Sequence, residues 1–220
     1  MKRFFHSELE TLKSHLMLMG EKAGDAVKKS VQSLSDKEVE LADAVIAGDD
    51  EIDALEIAID QEATRYLTLR SPVASDLRLL TVAIKASHDL ERVGDEARNI
   101  SKRARKLLLK SGLSGDIYHI PQMDLLAREM LRMALQAFLH EDPEKAYAVL
   151  EKDEEVDECN RDNVKAFIKE AKTDPNEIKR CLDLIFISKS LERIADHATN
   201  LAEEVIFLTT GKETRHNLEV

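Results

Sequence analysis

The chain contains the same sequence unit twice. The segment LERVGD at residues 90–95 recurs as LERIAD at residues 191–196, 101 positions later. A second pair, DDEID at residues 49–53 and DEEVD at residues 153–157, is 104 positions apart. Two copies of a unit of roughly one hundred residues are too few and too long for a solenoid, whose repeats span about 20 to 45 residues. We therefore predict two similar domains, at residues 1–115 and 116–220.

The composition indicates an all-α fold. The 220 residues include only 4 prolines and 7 glycines, and 34% are charged, which is typical of a helix-rich chain. Apolar residues recur at helical spacing in each copy. We predict a three-helix bundle in each domain, with a middle helix that is broken. The capping-box pair Ser35 and Glu38 suggests where the middle helix of the first domain starts, and Gly48 suggests its break. The predicted pieces are Ser35–Ala47 and Asp49–Leu69 in the first domain, and Asp142–Leu150 and Asp153–Ala171 in the second.

Charge and hydropathy exclude two classes of partner. The formal net charge is −11, whereas a nucleic-acid surface needs a clustered excess of Lys and Arg. The longest apolar runs have about four residues, far short of the roughly 18 that cross a bilayer. The amino terminus has no apolar signal-like segment, so we expect a cytoplasmic protein. Cys159 and Cys181 have no metal-binding or redox spacing, and we interpret them as small core residues.

Carboxylates repeat at helical spacing in both copies. Each unit contributes one Asp-x-x-x-Asp pair from its middle helix and one Glu-x-x-x-Asp pair from its last helix. Residues four apart lie on one side of a helix, and antiparallel packing of the two helices brings the four carboxylates together. The candidate metal ligands are Asp49, Asp53, Glu91 and Asp95 in the first unit, and Asp153, Asp157, Glu192 and Asp196 in the second.

Two interpretations of these carboxylates compete. In the simpler one they are solvated flank residues, with Arg92, Arg98 and Arg193 as local ion-pair partners worth a few tenths of a kcal/mol each. In the other, four carboxylates that converge without a cation repel one another, and a bound metal ion removes the repulsion. Recurrence at matching positions of both units favours the metal. Oxygen ligands select hard cations such as Mg²⁺, Mn²⁺, Ca²⁺ or Fe³⁺.

The sequence resembles the PhoU family of phosphate-signalling proteins. The resemblance rests on RSPVASDLR at residues 70–78, which leads into DLERVGD at residues 89–95, and on LERIADHA at residues 191–198. It covers essentially the whole chain as two PhoU repeats. The resemblance implies two three-helix bundles whose acidic motifs carry multinuclear metal clusters, of iron or zinc in the family, while the carboxylate chemistry alone also suits Mg or Mn.

The resemblance also implies partners and a role. PhoU proteins associate with the ATPase of the phosphate ABC importer and with a sensor histidine kinase, usually as homodimers. They reduce the phosphate-starvation response when phosphate is plentiful. We therefore expect a non-enzymatic negative regulator of phosphate uptake. His197 stands opposite Glu96 in the repeat, so the second site is open to a softer metal than the first.

Two alternatives remain at this point. The chain is instead an accessory regulator of another phosphate permease, or, from a different class, a carboxylate-bridged metal enzyme. A di-iron enzyme of the ferritin type needs Glu-x-x-His pairs on its bundle helices, and the one such pair, Glu213 and His216, lies in the tail. We interpret His88, one turn before Glu91, as a hydrogen-bonded flank residue. The basic run at residues 102–106 either complements a helix C-terminus or contacts an acidic partner.

Overall fold

The computed structural model of the chain describes residues 2–70, 72–111 and 115–212. These residues form six α-helices and one 3₁₀ turn, and none of them lies in a β-strand. The helices are α1 Lys2–Asp36, α2 Val39–Arg70, α3 Ala74–Ser111, α4 Ile120–His140, α5 Pro143–Thr173 and α6 Ile178–Thr210, with the 3₁₀ turn at Pro175–Glu177. The predicted all-α class is confirmed.

The six helices form two bundles that pack side by side. Helices α1, α2 and α3 contact one another, as do α4, α5 and α6. The bundles meet through α1 against α4 and α3 against α6. Helices α3 and α6 are antiparallel. Lys85 near the start of α3 contacts Glu204 near the end of α6, and Arg103 near the end of α3 contacts Asp183 near the start of α6. Two three-helix bundles are thus confirmed, while the boundary between residues 115 and 116 stays a prediction.

The apolar stripes of the two longest repeated helices form the centre of the core. Every residue that the helical period assigns to these stripes is buried. On α3 they are Leu79, Ala86, Leu90, Val93, Ala97, Ile100, Ala104 and Leu107, and on α6 Leu184, Ile187, Leu191, Ile194, Ala198, Leu201 and Val205. Cys159 and Cys181 are also buried and unbonded, as expected for small core residues. No helix among the described residues is long and apolar enough to cross a membrane.

The predicted breaks in the two middle helices are wrong. Helix α2 runs without interruption through Gly48, and α5 runs through Asp153. A glycine inside a helix costs only about 1 kcal/mol relative to alanine. Burial of Val45 and Ile52 on either side of Gly48 outweighs that cost, since each buried side chain of this size contributes about 1.5 to 3 kcal/mol.

The predicted capping box is also misplaced, because Ser35 belongs to α1. Helix α1 ends at Asp36 with Lys37 in the left-handed conformation at φ 61°, and the Glu38 amide donates to the Ser33 carbonyl at 3.0 Å. This arrangement is a Schellman C-cap. The second unit repeats it, with Glu141 at φ 51° and the Asp142 amide on a carbonyl five residues earlier. Both middle helices therefore start from the same turn, and Asp142 caps α5 as predicted.

Candidate functional site

The predicted carboxylates of the second unit come close together between α5 and α6. Burial raises the pKa of Asp153 from 3.8 to about 6, and repulsion from Asp196, Asp157 and Glu192 adds to the effect. Burial also raises the pKa of Asp196, with Glu192 as the largest repulsive neighbour. All four predicted side chains of this unit are thus within electrostatic reach of one another.

Few cations within the described chain offset this negative charge. Asp157 pairs loosely with Arg161 at 3.8 Å, and Glu192 pairs with Lys189 on its own helix. Lys189 donates a hydrogen bond to Glu192 Oε1 and lies within ion-pair distance of Oε2, but Oε2 is buried and accepts no hydrogen bond. No lysine, arginine or histidine of the described residues forms an ion pair with Asp153 or Asp196. A partly buried acidic cluster in which Asp153 and Asp196 have no ion-pair partner suits a hard cation.

The first unit brings its four carboxylates together as well, but arginines already pair with three of them. Asp49 is buried and pairs with Arg98 at 2.9 Å. Arg92 contacts Glu91 at 3.2 Å and Asp95 at 3.3 Å. The predicted local ion pairing of Arg92 is therefore confirmed, whereas Arg98 pairs with a buried carboxylate of the neighbouring helix. This site has less unbalanced charge than the second.

The carboxylates of the first unit still affect one another's protonation. Burial raises the pKa of Asp49; Arg98 opposes this effect, and Asp53 and Asp95 add to it. Burial likewise raises the pKa of Glu91, and Asp95 is its strongest repulsive neighbour. The predicted residues thus form one electrostatic group in each unit.

The difference between the two sites follows from two repeated positions. Arg98 of the first unit corresponds to Thr199 in the second, so no arginine reaches Asp153 in the same way. Arg92 corresponds to Arg193, but Arg193 contacts Glu96 of α3 at 3.1 Å rather than its own acidic motif. The second site therefore keeps the greater need for a cation.

The histidines contribute less to these sites than their sequence positions suggest. His197 does not join the second site through Nδ1, which contacts Asp89 of α3 at 2.9 Å. Asn200 donates to the same Asp89 carboxylate at 3.2 Å. His88 contacts Glu56 across the α2–α3 pair, which confirms its interpretation as a hydrogen-bonded flank residue.

Sequence reasoning overlooked two acidic residues near these sites. Glu56 continues the α2 series after Asp49 and Asp53, and its charge raises the pKa of Glu91. Helical spacing was enough to find it, although its repeat counterpart is Asn160. Asp89 corresponds to Ser190, so the duplication gave no signal for it. Its role depends on the packing of α3 against α6.

Among the described residues, no three or more His, Cys, Asp and Glu side chains are already arranged to hold a metal ion. The helices thus bring the carboxylates together without fixing their oxygens in a coordination shell. The donor set and its partly uncompensated charge fit a hard cation. The assignment of the eight carboxylates as metal ligands stays a prediction.

Comparison with known proteins matches both units. The family model for the PhoU domain matches residues 16–104 and 120–205. A phosphate-specific transport system accessory protein PhoU homolog of Pseudomonas aeruginosa is 37% identical over 96% of this chain and 88% of its own length. Its counterpart in Caulobacter vibrioides is 38% identical over 95% of this chain and 91% of its own length.

Solved structures agree with these sequence matches. The crystal structure of PhoU from Pseudomonas aeruginosa superposes with a TM-score of 0.91 at 38% identity, covering 94% of this chain and all of that one. The phosphate transport system regulatory protein PhoU from Streptococcus pneumoniae gives a TM-score of 0.88 at 30% identity, covering 95% of this chain and 98% of its own. The similarity thus extends over both bundles and their packing.

Proposed function

Because this chain belongs to the PhoU family, we propose that it is an accessory protein of a phosphate transport system that lowers phosphate uptake and the phosphate-starvation response when phosphate is abundant. The observation that carries the proposal is similarity over both bundles, in sequence and in fold, to proteins named as phosphate transport accessory or regulatory proteins.

The proposed mode of action is binding rather than catalysis. The chain docks on the ATPase of the phosphate importer and on a sensor histidine kinase in the cytoplasm, and it does so as a homodimer. Long helices packed as two bundles present wide, rigid faces, and such faces suit an adaptor because little conformational entropy is lost on docking. The carboxylate sites then serve the stability or the switching of these faces.

We further propose that the second carboxylate site binds a divalent or trivalent metal ion more strongly than the first. Asp153 and Asp157 would hold it from α5, and Glu192 and Asp196 from α6. Bound there, the ion would supply positive charge that removes the repulsion among these side chains. Without the ion, repulsion among the ionised carboxylates would oppose the packing of α5 against α6. Oxygen donors favour Mg²⁺, Mn²⁺ or iron over zinc in this site.

The regulatory role is tested in a bacterial host that lacks its own protein of this family. Such a host is expected to express a phosphate-starvation reporter even in phosphate-rich medium, and this chain is expected to lower that expression. Direct binding is measured separately, with the purified importer ATPase and the cytoplasmic part of the kinase immobilised in turn. Failure of the full-length chain both to repress the reporter and to bind either protein contradicts the proposal.

The identity of the transporter is tested in the same host. Affinity purification after crosslinking is expected to recover the ATPase subunit of the phosphate importer. Recovery of a low-affinity phosphate permease in its place assigns the chain to that other transporter and leaves the accessory role intact.

A further inference from the structure

The outer face of the α3–α6 pair carries an apolar stripe at one end. Ile178, Leu182 and Phe186 recur every four residues on α6 and are 44%, 48% and 49% exposed. This spacing puts them on one side of the helix over a length of about 12 Å. Isolated exposed apolar residues are ordinary, but a continuous stripe of three is typical of a contact surface.

A basic edge on the neighbouring helix borders this stripe. The final turns of α3 contribute Arg103 and Lys106, which both contact the buried Asp183 of α6, at 3.0 Å and 2.7 Å. The Arg103 guanidinium also lies over the Phe186 ring, 4.2 Å from its centroid. These contacts hold Arg103 in place beside the apolar stripe, so a ligand that meets it loses less side-chain entropy.

Two further lysines leave the basic edge with excess positive charge. Lys102 and Lys110 are exposed. Lys102 lies within electrostatic reach of Asp49 on α2 without forming an ion pair, and Lys110 forms no ion pair with any described residue. Asp183 is shared by Arg103 and Lys106, and Asp49 partly offsets Lys102, so positive charge remains in excess at this end of the face. Locally the surface is basic, even though the whole chain carries a net charge of −11. Screening in physiological salt has a length of about 8 Å, so the local charge decides what binds here.

The duplicated unit shows that the fold does not require this combination. At the opposite end of the same face, Leu77, Thr81 and Lys85 occupy the positions that match the α6 stripe. The positions that match Lys102, Arg103 and Lys106 hold Glu203, Glu204 and Phe207. Both ends belong to equivalent helix pairs, and only one of them joins an apolar stripe to a basic edge.

We propose that this surface, formed by Ile178, Leu182, Phe186, Lys102, Arg103, Lys106 and Lys110, docks an acidic amphipathic helix of a partner protein. Apolar side chains of that helix cover the α6 stripe, as in other helix-in-groove complexes. Its carboxylates meet the α3 cations. The inference rests on the proposed adaptor function and deepens it by naming the docking face and the chemistry of the partner segment.

Two other occupants are less compatible with the surrounding charge. Asp95 lies seven residues before Lys102 on α3, and Asp196 lies fourteen residues after Leu182 on α6, so both carboxylates face the same side as the surface. A flat anionic membrane, or a second copy that covers the whole face, would be pressed against them. A short helix confined to the basic end avoids them.

The test measures binding of a designed peptide to the full-length chain by fluorescence anisotropy. The peptide is a helix of about 18 residues with leucines on one side and glutamates on both flanks. We expect binding that weakens with salt, and that weakens about tenfold in Leu182→Ser and again in Lys102→Glu/Lys110→Glu. A peptide with lysines in place of the glutamates is expected to bind much less.

Matched variants separate this surface from general stickiness. Leu77→Ser changes the repeat-equivalent end, where Leu77 is 47% exposed, and Lys28→Glu changes an exposed charge on α1. Both are expected to leave peptide binding unchanged, and circular dichroism checks that every variant is folded. Equal loss in Leu77→Ser, equal binding of both peptides, or no binding of the acidic peptide overturns the proposal.

The competing occupants give their own results. If Leu182→Ser dissociates a dimer in sedimentation, or if the chain binds phosphatidylserine vesicles through this surface and ignores the peptide, the proposal is wrong. The reporter assay of the regulatory role stays independent of these outcomes. If the chain binds the peptide at this surface but fails to repress the reporter, the docking surface is supported and the proposed function is wrong. If the chain represses the reporter but does not bind the peptide, the proposed function is supported and the docking surface is wrong.

Discussion

Asp153→Asn is expected to stabilise the metal-free protein at neutral pH. The asparagine side chain keeps the size of the aspartate and removes a charge that the surrounding carboxylates repel. The folded pKa of Asp153 is about 6, whereas the ordinary pKa of an aspartate is 3.8. Because a pKa shift of one unit corresponds to about 1.4 kcal/mol, the ionised aspartate lowers the free energy of unfolding by up to about 3 kcal/mol. Partial exposure and screening reduce this figure, so we expect a gain of about 1 to 3 kcal/mol.

The sign of this effect depends on pH. A carboxyl group whose pKa is higher in the folded state binds a proton more tightly there, so protonation favours the native state. The contribution of Asp153 to stability is complete below its unfolded pKa of 3.8 and is lost as the pH rises through about 6. The advantage of Asp153→Asn over the wild type is therefore expected at pH 7.5 and should disappear near pH 4.

Urea unfolding followed by circular dichroism in the presence of a chelator measures the difference in the free energy of unfolding. Adding Mn²⁺ at pH 7.5 is expected to raise the stability of the wild type more than that of Asp153→Asn, because ligand binding to the native state adds to its stability. Asp162→Asn is the matched control on α5: this aspartate is exposed and paired with Lys165, so its change should have little effect and no dependence on Mn²⁺. A less stable Asp153→Asn at pH 7.5 in chelator would refute the reasoning.

Three further predictions concern the arginines and the inter-bundle turn. Thr199→Arg copies the position of Arg98 and is expected to neutralise Asp153, which should raise metal-free stability at pH 7.5 and weaken Mn²⁺ binding in calorimetry. Arg98→Gln leaves Asp49 buried without its cation and is expected to cost about 1 to 3 kcal/mol in urea unfolding at neutral pH, and less in acid. Gly115→Ala is expected to cost about 2 kcal/mol in the same assay. Gly115 has φ +83°, and an added Cβ would lie 2.9 Å from the guanidinium of the buried Arg180.

The sequence pattern was sufficient to predict the structure wherever burial depends on a single helix face. The helical period alone identifies the α3 and α6 stripes, because it fixes which side chains share a face and burial of that face dominates the energy. The carboxylate groups were found because their four-residue spacing puts each pair on one side of a helix and recurs in both units. By contrast, Gly48 suggested a break that does not occur, since the cost of one glycine is small beside the packing of the whole helix.

The amino-acid sequence by itself determined the all-α class, the two repeated bundles, their buried stripes and the four acidic pairs. Only the tertiary structure decided which cation each carboxylate meets. Arg98 pairs with Asp49, whereas Arg193 turns to Glu96 and leaves the second site short of positive charge. The pairing of Asp89 with His197 is likewise decided by the packing of α3 against α6. Ion pairs between helices depend on the register of packed surfaces, and periodicity along one helix contains no information about that register.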